Sequence, residues 1–393
     1  MKGRGVVKFG GADLSTGEKI RRAAEMVANS RFKEIVVVVS AMGKTTDKLI
    51  SSITSIGKVD DADYADIVSM GERTSARLFS AALKSLGVDS VYFDPGMEEW
   101  PIITDSNFKS ATPDLDETRK RVKQFIEPLL GHKVPVVCGF LGRDKEGRVT
   151  TLGRGGSDTT AVLLGNCLEA EEVILVKETE GVLSADPKVV STAKPIDRLD
   201  IAEMFTLALG GAKIVRPESL RYKLPNQRLK IINFASNNLH SEGTEIVGVF
   251  NSQSIQNEKT KGLSAITVLG DINPEGLGLL FKEFSGVQIL GISTGRNTLT
   301  VFFRSGKPED VLRRVHDLGI FKSVSLMRGI GMIGLSHPSF IDSPGWVAKI
   351  SGALASRKIN IIEVTSSKST INLFVNEEVI EEVSSAIGDL VEV

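Results

Sequence analysis

The chain has 393 residues, 41% hydrophobic and 25% charged, with 48 basic and 49 acidic side chains and a net charge of -1. That is material for roughly two to four domains, with no bulk attraction to nucleic acid or to an anionic membrane. Two cysteines and four histidines exclude a disulfide framework or a zinc spacing, and no apolar run approaches the ~18 residues of a membrane span.

Cys138 and Cys167 stand in apolar runs and read as small buried hydrophobes. Met1–Leu14 has no long apolar segment of a leader. A reducing cytoplasm is the simplest setting.

In chain order, Gly5–Phe9 reads as a strand ending in Gly10-Gly11, and Thr16–Ala28 as a helix. Glu34–Ser40 is an unalternated β-branched run, the mark of a strand covered on both faces. Ala65–Leu86 reads as a long helix with Ile67, Met70, Leu78, Ala82 and Leu86 on its apolar side. Val134–Phe140 is a strand, Asp158–Leu168 a helix, Val173–Val176 a strand, Ala202–Leu209 a helix and Leu229–Phe234 a strand. Alternation of this kind predicts an α/β domain, a doubly wound, mainly parallel sheet over 1–250.

A polar stretch, 251–262, reads as a linker. Beyond it the order strand–helix–strand–strand–helix–strand occurs over 263–328 and recurs over 329–393, a βαββαβ unit used twice. Pro274-Glu275-Gly276 and Ser343-Pro344-Gly345 open the first helix of each copy.

Six segments bear on chemistry. Val7-Lys8-Phe9-Gly10-Gly11 ends the first strand, where adjacent glycines let backbone amides approach a phosphate and Lys8 adds a cation. It is not a Walker loop, and it also reads as an ordinary turn. Ser40-Ala41-Met42-Gly43-Lys44-Thr45-Thr46-Asp47 follows the valine strand, where ligands of open α/β sheets bind. Its hydroxyls suit an anion, and Thr46 or Asp47 equally suits a helix cap. Met70-Gly71-Glu72-Arg73 puts a charged pair in a helix, which also reads as a solvated face.

Thr150-Thr151-Leu152-Gly153-Arg154-Gly155-Gly156-Ser157-Asp158-Thr159-Thr160 is the most informative. Three glycines, an arginine and a helix start make an anion receptor. Arg154 can grip a carboxylate and Asp158 an ammonium, so one loop could read an amino acid. Lys177 to Pro187 and Gly210 to Pro217 are turn-rich connections at sheet edges.

In order and spacing these segments resemble the aspartate kinases of the amino-acid kinase family, whose paired ACT regulatory domains the terminal repeat resembles. The resemblance implies ATP-dependent phosphorylation of the β-carboxylate of L-aspartate, with Mg²⁺. It places Lys8, Gly10 and Gly11 on the phosphates. Ser40, Thr45, Glu72, Arg154 and Asp158, with Gly155, Gly156 and Ser157, fall on the amino acid, Glu72 and Asp158 near its ammonium. Lys177, Glu178, Thr179, Gly181, Val182, Ser184, Asp186 and Lys213 fall on the nucleotide, and Lys8, Asp158 and Lys213 are the catalytic set. No metal ligand is assigned. It further implies a homodimer through ACT domains, a last strand returning to the first ACT unit, and a lysine or threonine effector at 270–278 and 338–345.

The sequence departs from the family mainly around the nucleotide. Ala12-Asp13 stand for Thr-Ser, Lys177-Glu178 for Thr-Asp, Leu183 for Tyr and Arg216 for His. A carboxylate acceptor is ionised at neutral pH, so the chemistry needs positioning and cations rather than a general base. Rival readings are a kinase for glutamate or an acylated glutamate, an amino-acid sensor without catalysis, and a nucleotide-monophosphate kinase. Glu72 and Asp158 speak against an acylated acceptor, which lacks an ammonium.

Overall fold

The computed structural model describes residues 2–209, 214–249, 256–336, 340, 344–367 and 370–388. The chain divides into two compact units, Met1–Phe250 and Asn251–Val393.

The first unit runs β1 (Lys2–Phe9), α1 (Gly17–Ala28), β2 (Phe32–Val39), α2 (Thr45–Ile56), α3 (Asp61–Ser85), β3 (Ser90–Phe93), α4 (Leu115–Arg121), β4 (Val134–Cys138), β5 (Leu141–Arg143) and β6 (Val149–Thr151). It continues α5 (Gly156–Cys167), β7 (Glu172–Lys177), β8 (Arg198–Asp200), α6 (Ile201–Leu209), α7 (Pro217–Leu220), β9 (Arg228–Asn233) and β10 (Thr244–Val247). Among the described residues its main sheet has the order β3-β4-β2-β1-β7-β9-β10-β8. Neighbours are parallel except β9 and β10. Val36–Val39 of β2 and all of β4 are buried, as unalternated runs require. The helix α5 is buried on every side.

The apolar side assigned to α3 from sequence is misphased. Met70 and Leu78 are exposed, while Ala65, Val68, Gly71, Glu72, Ala76 and Phe79 face inward. Small residues make this face because the helix lies close to the loop after β2: a Cβ on Gly71 would stand 2.7 Å from the Ala41 Cβ. Close approach, not side-chain bulk, selects the buried face.

The second unit runs β11 (Gln256–Leu269), α8 (Pro274–Lys282), β12 (Gln288–Thr294), β13 (Thr298–Arg304), α9 (Pro308–Asp317), β14 (Ser323–Ser336), α10 (Trp346–Ser356), β15 (Glu363–Ser367), β16 (Thr370–Asn376) and α11 (Ile380–Gly388). Its sheet order is β12-β13-β11-β14-β16-β15. Both central strands are long. The latter half of β11, from Ser264, lies between β13 and β14. Its first half, Gln256–Thr260, pairs with Met332–Ser336 of β14, whose other side holds β16.

Each half of this unit is therefore a four-stranded sheet with two helices, βαββαβ in chain order in the first half and βαββα completed by the start of β11 in the second. The first builds a core on Ile266, Leu280, Val301 and Val311, and the second on Ile333, Leu354, Leu373 and Val383. On the sheet's other face Phe302 stacks on Phe374, ring centroids 3.8 Å apart.

Two boundaries move. Residues 256–262 are strand, not linker, and 251–255 lie outside the described residues. This strand reads as polar because it is an exposed edge, held by backbone pairing. Asn257 also donates to Ser384 at 2.9 Å, and Lys259 pairs with Glu381 at 2.7 Å. The division at 328/329 falls inside β14. The fourth strand of the second half comes from the start of the unit, and 389–393, the expected returning strand, lie outside the described residues.

Candidate functional site

A cleft of about 1060 Å³ opens in the first unit, beyond the C-terminal ends of β1, β2 and β7, where ligands of open α/β sheets sit. Its floor is charged. Lys8 near the end of β1 is 5% exposed and Asp158 in the first turn of α5 is 4% exposed, their Nζ and Oδ1 2.8 Å apart. Lys177, ending β7, donates to Asp158 Oδ2, also at 2.8 Å. Burial would raise the Asp158 carboxyl, but Lys177 and Lys8 overcome it and hold the group at about 2. Burial, opposed by Asp158, lowers the Lys177 ammonium.

Glu72 reaches the same cleft from α3. It is 3% exposed, so the reading of a solvated face fails. Its Oε1 accepts the Ala41 N–H at 3.0 Å, while Oε2 is buried with no hydrogen-bond partner among the described residues. Burial pushes the carboxyl up to about 7.

The glycine-rich loop behaves as its composition requires. Gly155 has φ +71°, and a Cβ there would stand 1.9 Å from Arg216 Cγ, so only glycine fits. Arg154 and Gly155 are exposed along the cleft, with Gly156 and Ser157 buried behind them. Ser40 also lines it.

Other expected residues fall elsewhere. Thr45 does not line the cleft. Its hydroxyl donates to the Met42 carbonyl at 2.7 Å, and Thr46 and Asp47 line it instead. The Gly10 amide donates to Asp13 at 3.0 Å, and the Gly11 carbonyl accepts from Gly43 at 2.8 Å. Glu178 pairs with Lys19 at 3.5 Å. Thr179 donates to the Gly181 carbonyl, and the Val182 amide to Thr244 at 2.7 Å. Ser184 accepts from Lys194, and Asp186 from Lys188. These groups of 178–197 are thus taken up within the connection and by Lys19 and Thr244, and none of its residues lines the cleft. Lys213, with 210–212, lies outside the described residues.

Tyr64 and Lys109 were not legible in sequence, although both line the cleft, with the Lys109 Nζ 4.8 Å from the Tyr64 ring centroid. No motif surrounds either. Asp13 had one signal, its departure from the family.

An orphaned buried carboxylate oxygen, paired lysines and a glycine-arginine loop in one cleft suit an amino acid beside a polyphosphate. Known proteins with this chain's pattern agree in kind. An aspartokinase of Corynebacterium efficiens is 29% identical over 98% of this chain and 95% of its own length. The crystal structure of aspartate kinase from Synechocystis superposes with a TM-score of 0.75 at 25% identity, covering 99% of this chain and 69% of that one. E. coli aspartokinase III, in complex with aspartate and ADP, shares the fold at a TM-score of 0.57 and 21% identity, covering 98% of this chain and 99% of that one. Residues 3–233, which include the whole cleft, match the model of the amino acid kinase family, and the chain belongs to that family.

Proposed function

We propose that this chain is an aspartate kinase, converting L-aspartate and ATP to 4-phospho-L-aspartate and ADP. One observation carries the acceptor: Glu72 lines the cleft that also holds Lys8 and Lys177, and its buried Oε2 has no hydrogen-bond partner among the described residues. A carboxylate oxygen kept from water and left without a donor is costly, and a substrate ammonium would supply the donor. An acylated acceptor has none to give.

A β-carboxylate oxygen attacks the γ-phosphorus as the bond to the β,γ-bridging oxygen breaks and its electron pair leaves with ADP. No proton moves, because the nucleophile is already ionised. The task is bringing anion onto anion, so Lys8 neutralises charge on the transferred group and Arg154 and Ser157 orient the acceptor's carboxylates. Asp158 was expected at the ammonium. Both of its oxygens face lysines, so its role here is to hold them in place. The cleft floor is rich in cations, and Mg²⁺ would be held chiefly by the phosphates and water.

The enzyme works in the cytoplasm as a homodimer joined through the second unit, whose paired sandwiches take lysine or threonine as feedback effector. No helix among the described residues is long and apolar enough to cross a membrane.

The test is ATP turnover with hydroxylamine trapping on L-aspartate, L-glutamate and N-acetyl-L-glutamate, each with and without lysine or threonine. An aspartate-only hydroxamate supports the reading. A hydroxamate from N-acetylglutamate alone replaces it.

A further inference from the structure

Lys177 lines the cleft without a part in the reaction outlined above, and the buried carboxylate of Asp13 stands close to its neighbour Lys8. We propose that Lys177 is a second cation for the transferred phosphoryl group, and that Asp13 is the counter-charge that lets two lysines share its pocket. The inference rests on the kinase reading of this cleft.

Register brings the lysines together. β1 and β7 are parallel, with Lys8 opposite Leu175 and Phe9 opposite Val176. Lys177 is two residues beyond Leu175, so it leaves the sheet on the side that Lys8 does. That side is covered by α5, whose first turn presents Asp158 to both amines at 2.8 Å. Two ammonium groups on one carboxylate leave an excess positive charge in a largely buried place.

Asp13 supplies the balance. It is 1% exposed, with Oδ2 accepting the Gly10 N–H and Oδ1 buried with no hydrogen-bond partner among the described residues. A Cβ on Gly10 would lie 3.1 Å from Asp13 Oδ2 and 3.5 Å from Lys8 Nζ, so carboxylate and amine converge over that glycine. Burial lifts the Asp13 carboxyl to about 6, while the Gly10 amide, Lys8 and Lys177 favour its charged form and Glu178 opposes it. At neutral pH, two carboxylates therefore match two ammonium groups. Both Asp13 and Lys177 stand where the resemblance to the family breaks, and the two departures carry opposite charge.

The lysines differ in freedom. The Lys8 side chain is 7% exposed and that of Lys177 21%. Lys177 is the amine with room to leave Asp158 for an arriving phosphate oxygen, and Asp13 and Asp158 then remain to hold Lys8.

The experiment measures ADP affinity by calorimetry, independent of any acceptor, together with steady-state kinetics on L-aspartate. Lys177→Met should lower kcat about 100-fold and weaken ADP about tenfold, with the aspartate KM nearly unchanged. Asp13→Asn should tighten ADP several-fold, because one positive charge becomes uncompensated. Lys177→Met with Asp13→Asn should bind ADP closer to wild type than Lys177→Met alone does. Wild-type kcat and ADP affinity in Lys177→Met would overturn the proposal, as would a double variant that binds ADP no better than Lys177→Met alone. Should Lys177→Met fail to fold, unchanged ADP affinity in Asp13→Asn alone would overturn it. Wild-type protein that binds ADP but phosphorylates no acceptor would sink the kinase reading and leave the affinity coupling to be judged by itself.

Discussion

The Glu72 carboxylate, on the wall of the cleft, takes one hydrogen bond from the Ala41 amide and keeps its other oxygen buried without a partner among the described residues. With burial holding the group at about 7, substrate and stability make opposite demands on it. The free protein favours neutral Glu72, so this group's contribution to stability is full below about pH 4.5 and is lost as pH rises through 7, by about 3 kcal/mol. An ammonium needs the charged form. The kcat/KM for aspartate should rise with pH to an apparent pKa near 7 and then level. Glu72→Gln should abolish that limb and raise the aspartate KM by about 30–100-fold. A pH–rate profile of both proteins checks it, and an unaltered limb in the variant would remove Glu72 from the ammonium site.

Asp158 has the opposite sign. Its folded value of about 2 lies below the ordinary 3.8, so it stabilises the fold above about pH 4, and that contribution is lost as pH falls through 2. Asp158→Asn leaves two lysines without their shared partner. It should cost about 3 kcal/mol and flatten the acid limb of stability, as read by denaturant melts between pH 2 and 7.

Gly71→Ala tests the close approach of α3 to the loop after β2. The added methyl would press on Ala41, costing about 1–3 kcal/mol. Because Ala41 holds Glu72, the aspartate KM should rise while the ATP KM stays nearly constant. Equal shifts in both would mean a general loosening.

In the second unit, adjacent residues of an edge strand point their amides to opposite sides, so replacing both Asn257 and Glu258 by proline must remove at least one bond to β14. Hydrogen exchange should then show Met332–Ser336 losing protection while Val301–Phe303 of β13, in the first half, keep theirs.

What was legible in the sequence follows from local chemistry. Valine runs and the glycine-arginine loop declare themselves, because each depends on its own residues, whereas the cap read at Thr46 or Asp47 fails, since the helix already begins at Thr45 after Lys44. The buried side of α3 did not, since small residues and a carboxylate face inward for reasons supplied by Ala41, which crowds Gly71 and donates to Glu72. The connection 178–197 matches the family in spacing, yet its polar groups bond within it and to Lys19 and Thr244 rather than facing the cleft. Tyr64 and Lys109 meet only in space. The strand at 256–262 was hidden because an exposed edge carries no hydrophobic alternation, and its partner lies far along the chain.

That strand has a temporal meaning. On a growing chain the stretch that must close the second sandwich emerges before either sandwich exists, and its mate in β14 arrives last among the shared strands. The first sandwich can assemble with this segment hanging free, an unpaired edge open to any neighbouring nascent chain. Completion of the second sandwich is then a late, long-range event, slow for the loop it must close. Overexpressed protein should accordingly be most prone to intermolecular strand exchange during that interval, until Met332–Ser336 of β14 pair with Gln256–Thr260.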